Sequence, residues 1–214
     1  MSNSLTKTIY IVRHGESQGN VEGFSQLPDT PLTEKGHVQA ERVAERCQSL
    51  EVDMIVSSNF LRAQETARHI GKAFDMDVLP NEDFHELMAP FSARGKHKQS
   101  EEYLAFRSSF QENYTKDADW VMPGMESHKE LLERADRAIN FLLTAEANNI
   151  LVVSHGLFIK YLVGRMIFKD LFTPEVCNAL IASIHPDNTG ISICRYIDDH
   201  WHLFTWNDYA HLAE

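Results

Sequence analysis

The chain has 214 residues and a formal net charge of −11 at pH 7, with 43% hydrophobic and 24% charged residues. That balance supplies a real core and suits one α/β domain, with or without an inserted lobe. The acidic excess argues against nucleic acid and against an anionic membrane surface as partners, while a locally positive pocket for a small anion stays open.

Residues 1–7 are polar and read as a frayed terminus. Thr8-Ile9-Tyr10-Ile11-Val12 is an apolar, β-branched run, which predicts a buried parallel strand. Charge begins where the run stops, at Arg13-His14-Gly15-Glu16-Ser17. That is the carboxyl end of the strand, outside which open α/β sheets bind their ligands. Residues 20–31 hold Gly23, Pro28 and Pro31 and read as a loop bordering the same crevice. Thr33 is placed to cap a helix whose apolar stripe is Val38, Ala40, Val43, Ala44 and Cys47. Met54-Ile55-Val56 is a second short strand running into Ser57-Ser58. Ser58 is the expected N-cap of a helix over residues 60–74, which puts Arg62 in its first turn. Residues 78–86 read as extended around Pro80.

The pattern then changes. Residues 87–125 hold a basic loop, Ala93-Arg94-Gly95-Lys96-His97-Lys98, and a helix over 101–114, and read as a lid-like insertion over the crevice. Ser127-His128-Lys129-Glu130 is a capping box opening a helix that runs to residue 147. Ile150-Leu151-Val152-Val153-Ser154 is another buried strand, and His155-Gly156 follows it as His14-Gly15 follows the first. A helix over 157–168, a shorter one from Pro174, and a hairpin of 191–197 and 201–205 with Asp198-Asp199 in its turn close the chain. Strands alternating with helices imply one α/β domain over residues 1–214, a three-layer sandwich with a mainly parallel sheet. The three cysteines, Cys47, Cys177 and Cys194, form no Cys-x-x-Cys pair and read as buried reduced thiols of a cytoplasmic protein. No apolar stretch of signal-peptide length precedes Arg13, and no run approaches a bilayer span.

Two strands ending in His-Gly would bring two imidazoles over one crevice, with Gly letting the backbone turn and a ligand approach. Arg13 and Arg62 bring planar, rigid donors suited to a phosphate monoester, which carries about −1.5 to −2 charges at neutral pH. Arg62 adds a helix N-terminus, which favours anions. The pattern reads as a phosphoryl pocket with a histidine nucleophile. An attacking His14 needs one ring nitrogen unprotonated, and neighbouring arginines depress its pKa. The other nitrogen then donates to a fixed acceptor, most simply a backbone carbonyl. His155 is expected to face the same phosphoryl oxygens, and Asn20 to add a neutral donor. The plain alternative is a pair of core histidines satisfied by backbone. A pair after two buried strands, one beside Arg, favours a site.

Five ordered blocks resemble the histidine phosphatase superfamily, the group that includes cofactor-dependent phosphoglycerate mutases. They are Arg13 to Ser17 with Asn20; Pro31-Leu32-Thr33-Glu34-Lys35-Gly36; Ser57-Ser58 with Arg62-Ala63-Gln64-Glu65-Thr66-Ala67; Pro123-Gly124-Met125-Glu126-Ser127; and Ser154-His155-Gly156. The resemblance implies a phosphomonoester hydrolase with a covalent phosphohistidine on His14, and Arg13, Arg62 and His155 around the phosphoryl group. It implies a carboxyl acid/base shortly after the third strand, where Phe84-His85-Glu86-Leu87 stands; Glu86 is assigned, with Glu82 and Asp83 close by. It implies substrate contacts at Asn20, Ser25, Gln26 and Gly156, a small phosphorylated substrate, no cofactor and no metal. The short chain and the ending Trp206-Asn207-Asp208-Tyr209-Ala210-His211-Leu212 resemble phosphatase members more than mutases. A mutase using the same residues and a non-catalytic phospho-ligand binder are the alternatives. A metal hydrolase ligated by His14, His155 and Glu86 is disfavoured by the adjacent arginines. Glu16 and Ser17 read as loop braces, Arg94, Lys96 and Lys98 as a solvated basic loop ahead of the alternative that they recruit an anionic substrate, and Glu126 has no assigned role. Oligomeric state is open, a dimer included.

Overall fold

The computed structural model describes residues 6–114 and 116–213. The strands are β1 (Lys7–Arg13), β2 (Met54–Ser57), β3 (Val78–Pro80), β4 (Asn149–Ser154), β5 (Ile191–Ile197) and β6 (His200–Asp208). The helices are α1 (Gln18–Val21), α2 (Glu34–Cys47), α3 (Leu61–Phe74), α4 (Glu101–Asn113), α5 (His128–Thr144), α6 (Gly156–Phe168) and α7 (Pro174–Ser183). The sheet order is β3-β2-β4-β1-β5-β6. The first four strands in that order run parallel, and β5 and β6 add an antiparallel edge. The sheet is therefore mainly parallel, as the alternation of elements predicts.

Every residue from Ile9 to Val12 and from Ile150 to Val153 is buried. Side chains alternate along a strand, so one run serves two cores. Tyr10, Val12, Leu151 and Val153 meet Val43, Ala44 and Cys47 of α2 and Ala63, Ala67 and Ile70 of α3. Ile9, Ile11, Ile150 and Val152 meet α5, α6 and α7 on the other face. These are the three layers. Burial pushes the thiols of Cys47 and Cys194 up to about 12 and that of Cys177 up to about 11, so all three are inert at neutral pH. Among the described residues, no helix is long and apolar enough to cross a membrane.

Several local expectations are corrected. Of the terminus expected to fray, residues 1–5 lie outside the described ones, while Lys7 opens β1 and is buried. Its ammonium donates to the carbonyls of Ala145 and Ala147. Those carbonyls are free because α5 stops at Thr144, short of residue 147, where Ala145 turns extended. Val38 is 49% exposed and leaves the apolar stripe; it sits roughly 200° around α2 from Ala40, at about 100° per residue. Residues 20–31 are not all loop, since α1 forms one turn with Ser17 and Asn20 as a capping box. After β3 the chain makes a 3₁₀ turn over Glu82–Phe84, capped by Asn81, instead of staying extended. The closing hairpin forms with Asp198 and Asp199 at φ 49° and 62°, though its second strand runs on to Asp208.

The loop after β1 is pressed on the start of α2. A Cβ at Gly36 would stand 2.0 Å from the carbonyl oxygen of Glu16, and one at Gly15 would stand 2.5 Å from that of Gly36. Backbone atoms on both sides leave nothing to yield. Gly36→Ala is expected to lower stability by about 1–3 kcal/mol, the usual cost of overpacking. A urea-unfolding midpoint equal to the wild type's would show that this contact is not tight.

Candidate active site

The register of β1 and β4 builds the site. Arg13 lies opposite Ser154, so the next residues, His14 and His155, emerge at one level. The His14 amide donates to the Ser154 carbonyl at 3.0 Å, and the two ring centroids are 5.1 Å apart. Ser57 of β2 lies opposite Val153, which brings Ser58 level with Ser154, one residue short of His155. Ser58 is not the N-cap of α3, a place Phe60 holds without a side-chain cap. The Ser58 hydroxyl instead lies 2.8 Å from His155 Nε2 and accepts from the Phe60 amide. The first turn of α3 carries Arg62 over the crevice, only 2% exposed. Its Nε lies 3.4 Å from His14 Nε2, and its Nη1 donates to the Leu27 carbonyl at 3.0 Å.

His14 Nδ1 stands 2.7 Å from the Gly15 carbonyl oxygen. A carbonyl only accepts, so Nδ1 carries the proton and Nε2 of the neutral ring is a free base. This is the carbonyl partner the sequence calls for. Burial, then the charges of Arg62 and Arg13, hold the His14 pKa well below its ordinary value. Burial, then Arg62 and His14, do the same to His155. Both rings are therefore neutral at pH 7. Arg13 Nη1 donates to the Pro186 carbonyl at 2.7 Å. Arg13 Nε and His155 Nδ1 are buried with no partner among the described residues, and of the two only Arg13 belongs to a residue that lines the cavity and can offer its donor to a polar ligand.

A cavity of about 500 Å³ opens here, with Arg13, His14, Asn20, Arg62, Glu86 and Gly156 in its wall, and Ser25 and Gln26 beside them. His155 is the exception among the expected residues. It is fully buried, outside the wall, and meets the site through its ring contact with His14. Asn20 Oδ1 accepts from the Ser17 amide at 3.0 Å, which leaves its NH₂ as the donor on the cavity side. Glu16 and Ser17 brace the loop as expected, Glu16 through Lys35 and Thr33, and Ser17 through Asn20.

Glu86 is held twice. Its carboxylate caps α6, accepting from the amides of Phe158 and Leu157 at 3.0 and 3.1 Å, and from Leu87 at 3.0 Å. Its backbone is clamped by Arg134, whose Nη1 donates to the carbonyls of Asp83 and His85 at 3.0 and 2.7 Å. Arg134 is itself fixed by a two-pronged pair with Glu126, at 2.7 and 2.8 Å. Glu126, without a role from sequence, is thus the counter-charge of the clamp behind Glu86. Neither Glu82 nor Asp83 enters the wall; Asp83 pairs with Arg137 at 3.0 Å.

Sequence reasoning left most of the outer wall unnamed. Lys98, expected to be solvated, lines the cavity, and so do Arg107, Lys160 and His185. Arg94 and Lys96 do not: Arg94 donates to the carbonyls of Ala89 and Gly124, and Lys96 pairs with Glu102. One signal was present. Tyr103, Phe106, Arg107 and Phe110 fall at helical spacing on one face of α4, and all four line the cavity.

Residues 9–209 match the profile of the histidine phosphatase superfamily (branch 1), and the chain belongs to that family. A curated relative from Enterobacter sp. (strain 638), "Probable phosphoglycerate mutase GpmB", is 36% identical over 212 residues, covering 95% of this chain and 94% of that one. Among solved structures, an Escherichia coli protein provisionally named an alpha-ribazole-5'-P phosphatase superposes with a TM-score of 0.81 at 23% identity, covering 97% of this chain and 99% of the other. A mycobacterial glucosyl-3-phosphoglycerate phosphatase complexed with VO3 gives 0.77 at 23% identity, covering 94% and 99%. At these identities the structures establish the shared fold.

Two outcomes follow from the geometry. Glu126→Ala leaves the 3% exposed Arg134 side chain without a counter-charge. Stability should fall by about 3 kcal/mol, the low end for a broken buried pair because Glu126 is itself a quarter exposed. A loss close to zero in chemical denaturation would mean that the clamp carries no load. His14 and His155 are buried neutral, so the unfolded chain binds protons near pH 6.5 that the folded chain refuses. Stability should therefore fall as pH drops from about 7 towards 5. In phosphate-free buffer the slope should be shallower for His14→Gln; identical slopes would contradict the assignment.

Proposed function

We propose that the protein is a phosphomonoester hydrolase working through a covalent phosphohistidine on His14. The observation that carries this reading is the His14 ring itself: Nδ1 bonded to the Gly15 carbonyl, with Nε2 beside the Arg62 guanidinium in a cation-lined cavity. Arg13 and Arg62 bind the phosphoryl oxygens, with the Asn20 amide and the Gly156 backbone, at the N-terminus of α6, adding neutral donors. His155 stabilises the developing charge from behind His14. The Nε2 lone pair attacks phosphorus in line, the ester P–O bond breaks, and the Glu86 carboxyl gives its proton to the leaving oxygen. The Nδ1 bond to the Gly15 carbonyl stabilises the charged phosphoimidazole. In the second half Glu86, now a carboxylate, takes a proton from water. The water oxygen attacks phosphorus, the P–N bond breaks, and orthophosphate leaves with the ring neutral again. Nucleophile and proton donor are both side chains, so no cofactor or metal is needed. Residues 87–125 act as a cover over the cavity within one domain, and the buried thiols fit a cytoplasmic setting.

A mutase reading has its own support in the name of the 36% identical relative. It uses the same residues and differs in whether water or a second substrate takes the phosphoryl group. The exposed Lys98 and Arg107 side chains in the wall keep the cavity in contact with bulk water, which favours hydrolysis.

The test is phosphate release from phenyl phosphate and from alkyl phosphates in EDTA. His14→Ala should cost about a thousandfold or more in kcat. Glu86→Gln should slow alkyl esters by about 10²–10⁴ and phenyl phosphate much less, because phenoxide leaves without help. Unchanged turnover in His14→Ala overturns the proposal. Phosphoglycerate isomerisation outrunning phosphate release transfers it to the mutase reading.

A further inference from the structure

The outer cavity carries charge that the reaction at His14 does not use. Five cationic side chains stand in the wall, namely Arg13, Arg62, Lys98, Arg107 and Lys160, in a chain of net charge −11. Lys160 is tied by its ammonium to the Ile181 carbonyl at 2.8 Å. Lys98 and Arg107 make no side-chain hydrogen bond or ion pair among the described residues, and Arg107 only leans over the Phe110 ring, 5.8 Å from its centre. With 31 acidic side chains in the chain, two unpaired cations in one cavity are not a matter of supply. With Glu86 holding the proton that it gives to the leaving oxygen, a phosphate dianion balances two of the five, and three are left, Lys98 and Arg107 among them. Burial, then the charges of Arg13 and Arg107, pull the Lys98 pKa below its ordinary value, so Lys98 lies within the field of both. Like charges gathered without counter-ions destabilise a fold, and an anionic ligand removes that cost. The same wall has an apolar part, made by Tyr103, Phe106 and Phe110 on one face of α4 with Leu157 of α6.

We propose that the cavity takes a phosphomonoester bearing a second anionic group, held by Lys98 and Arg107, whose connecting body lies against Tyr103, Phe106 and Phe110. This rests on the reading of the His14 end as the phosphoryl site. The planar Arg107 fork accepts a carboxylate or a second phosphate in two-pronged fashion.

Three ligands separate the possibilities: phenyl phosphate, 4-carboxyphenyl phosphate and benzene-1,4-diyl bisphosphate. Their affinities are measured by calorimetry on His14→Ala protein, which binds without turnover. Both doubly anionic ligands should bind about tenfold or more tightly than phenyl phosphate, as expected of an added charge-assisted contact, and their order tells carboxylate from phosphate. The preference should shrink with added salt and should fall towards unity in Arg107→Gln and in Lys98→Met. Arg107 is exposed, so its replacement leaves the fold intact. Equal affinity for all three ligands, or a preference that survives both substitutions, overturns the subsite. Wild-type turnover of phenyl phosphate, run in parallel, keeps the two readings apart. Turnover without preference sinks the subsite alone, and preference without turnover sinks the hydrolase reading alone. Binding of none of the three overturns both.

Discussion

A backbone register pairing Arg13 with Ser154 is the constraint on which the site depends. Parallel strands place equivalent backbone points level, so one residue beyond that pair two imidazoles emerge 5.1 Å apart between centroids. The same ladder carries β2 up to Ser57, which supplies Ser58 as a partner for His155. A one-residue slip would turn His14 to the opposite face, and no side-chain substitution could restore it. The sheet core therefore serves the chemistry directly. Ile9 to Val12 and Ile150 to Val153, packed on both faces, fix both strands in the middle of the core.

The second theme is electrostatic. Arg13 and Arg62 are taken largely out of water, and burial draws the Arg62 pKa down to about 10. The Glu86 charge offsets part of that cost for both arginines. Carbonyls of Pro186 and Leu27 take one guanidinium nitrogen from each, and other donor positions stay available. Such a site is costly to fold and ready to bind an anion, with its dipoles oriented beforehand. The net negative surface does not conflict with this, because the positive field is confined to one cavity.

What was legible in the sequence was whatever local pattern decides. β-branched runs closed by His-Gly gave the two central strands, Thr33 and Ser127 gave two helix starts, and Asp198-Asp199 gave a hairpin turn. What was not legible depended on distant partners. Lys7 looks like a frayed terminus until Ala145 and Ala147 offer carbonyls to its ammonium. Ser58 looks like a helix cap until His155 stands beside it. Glu126 gains meaning only when Arg134 links it to the carbonyls before Glu86. Lys98 sits in a stretch whose neighbour Lys96 does pair at the surface, and nothing local separates the two. The stripe on α4 was readable by its spacing, but a stripe does not say whether it faces a core or a ligand.

The central claim is a phosphorus–nitrogen bond at His14. It is tested most directly by quenching the protein into alkali during turnover of phenyl phosphate and mapping the phosphoryl group by mass spectrometry. The expected result is an acid-labile, alkali-stable phosphoryl group on Nε2 of His14. A phosphoryl group on any other residue, or phosphate release with an unmodified His14 at every quench time, would contradict it.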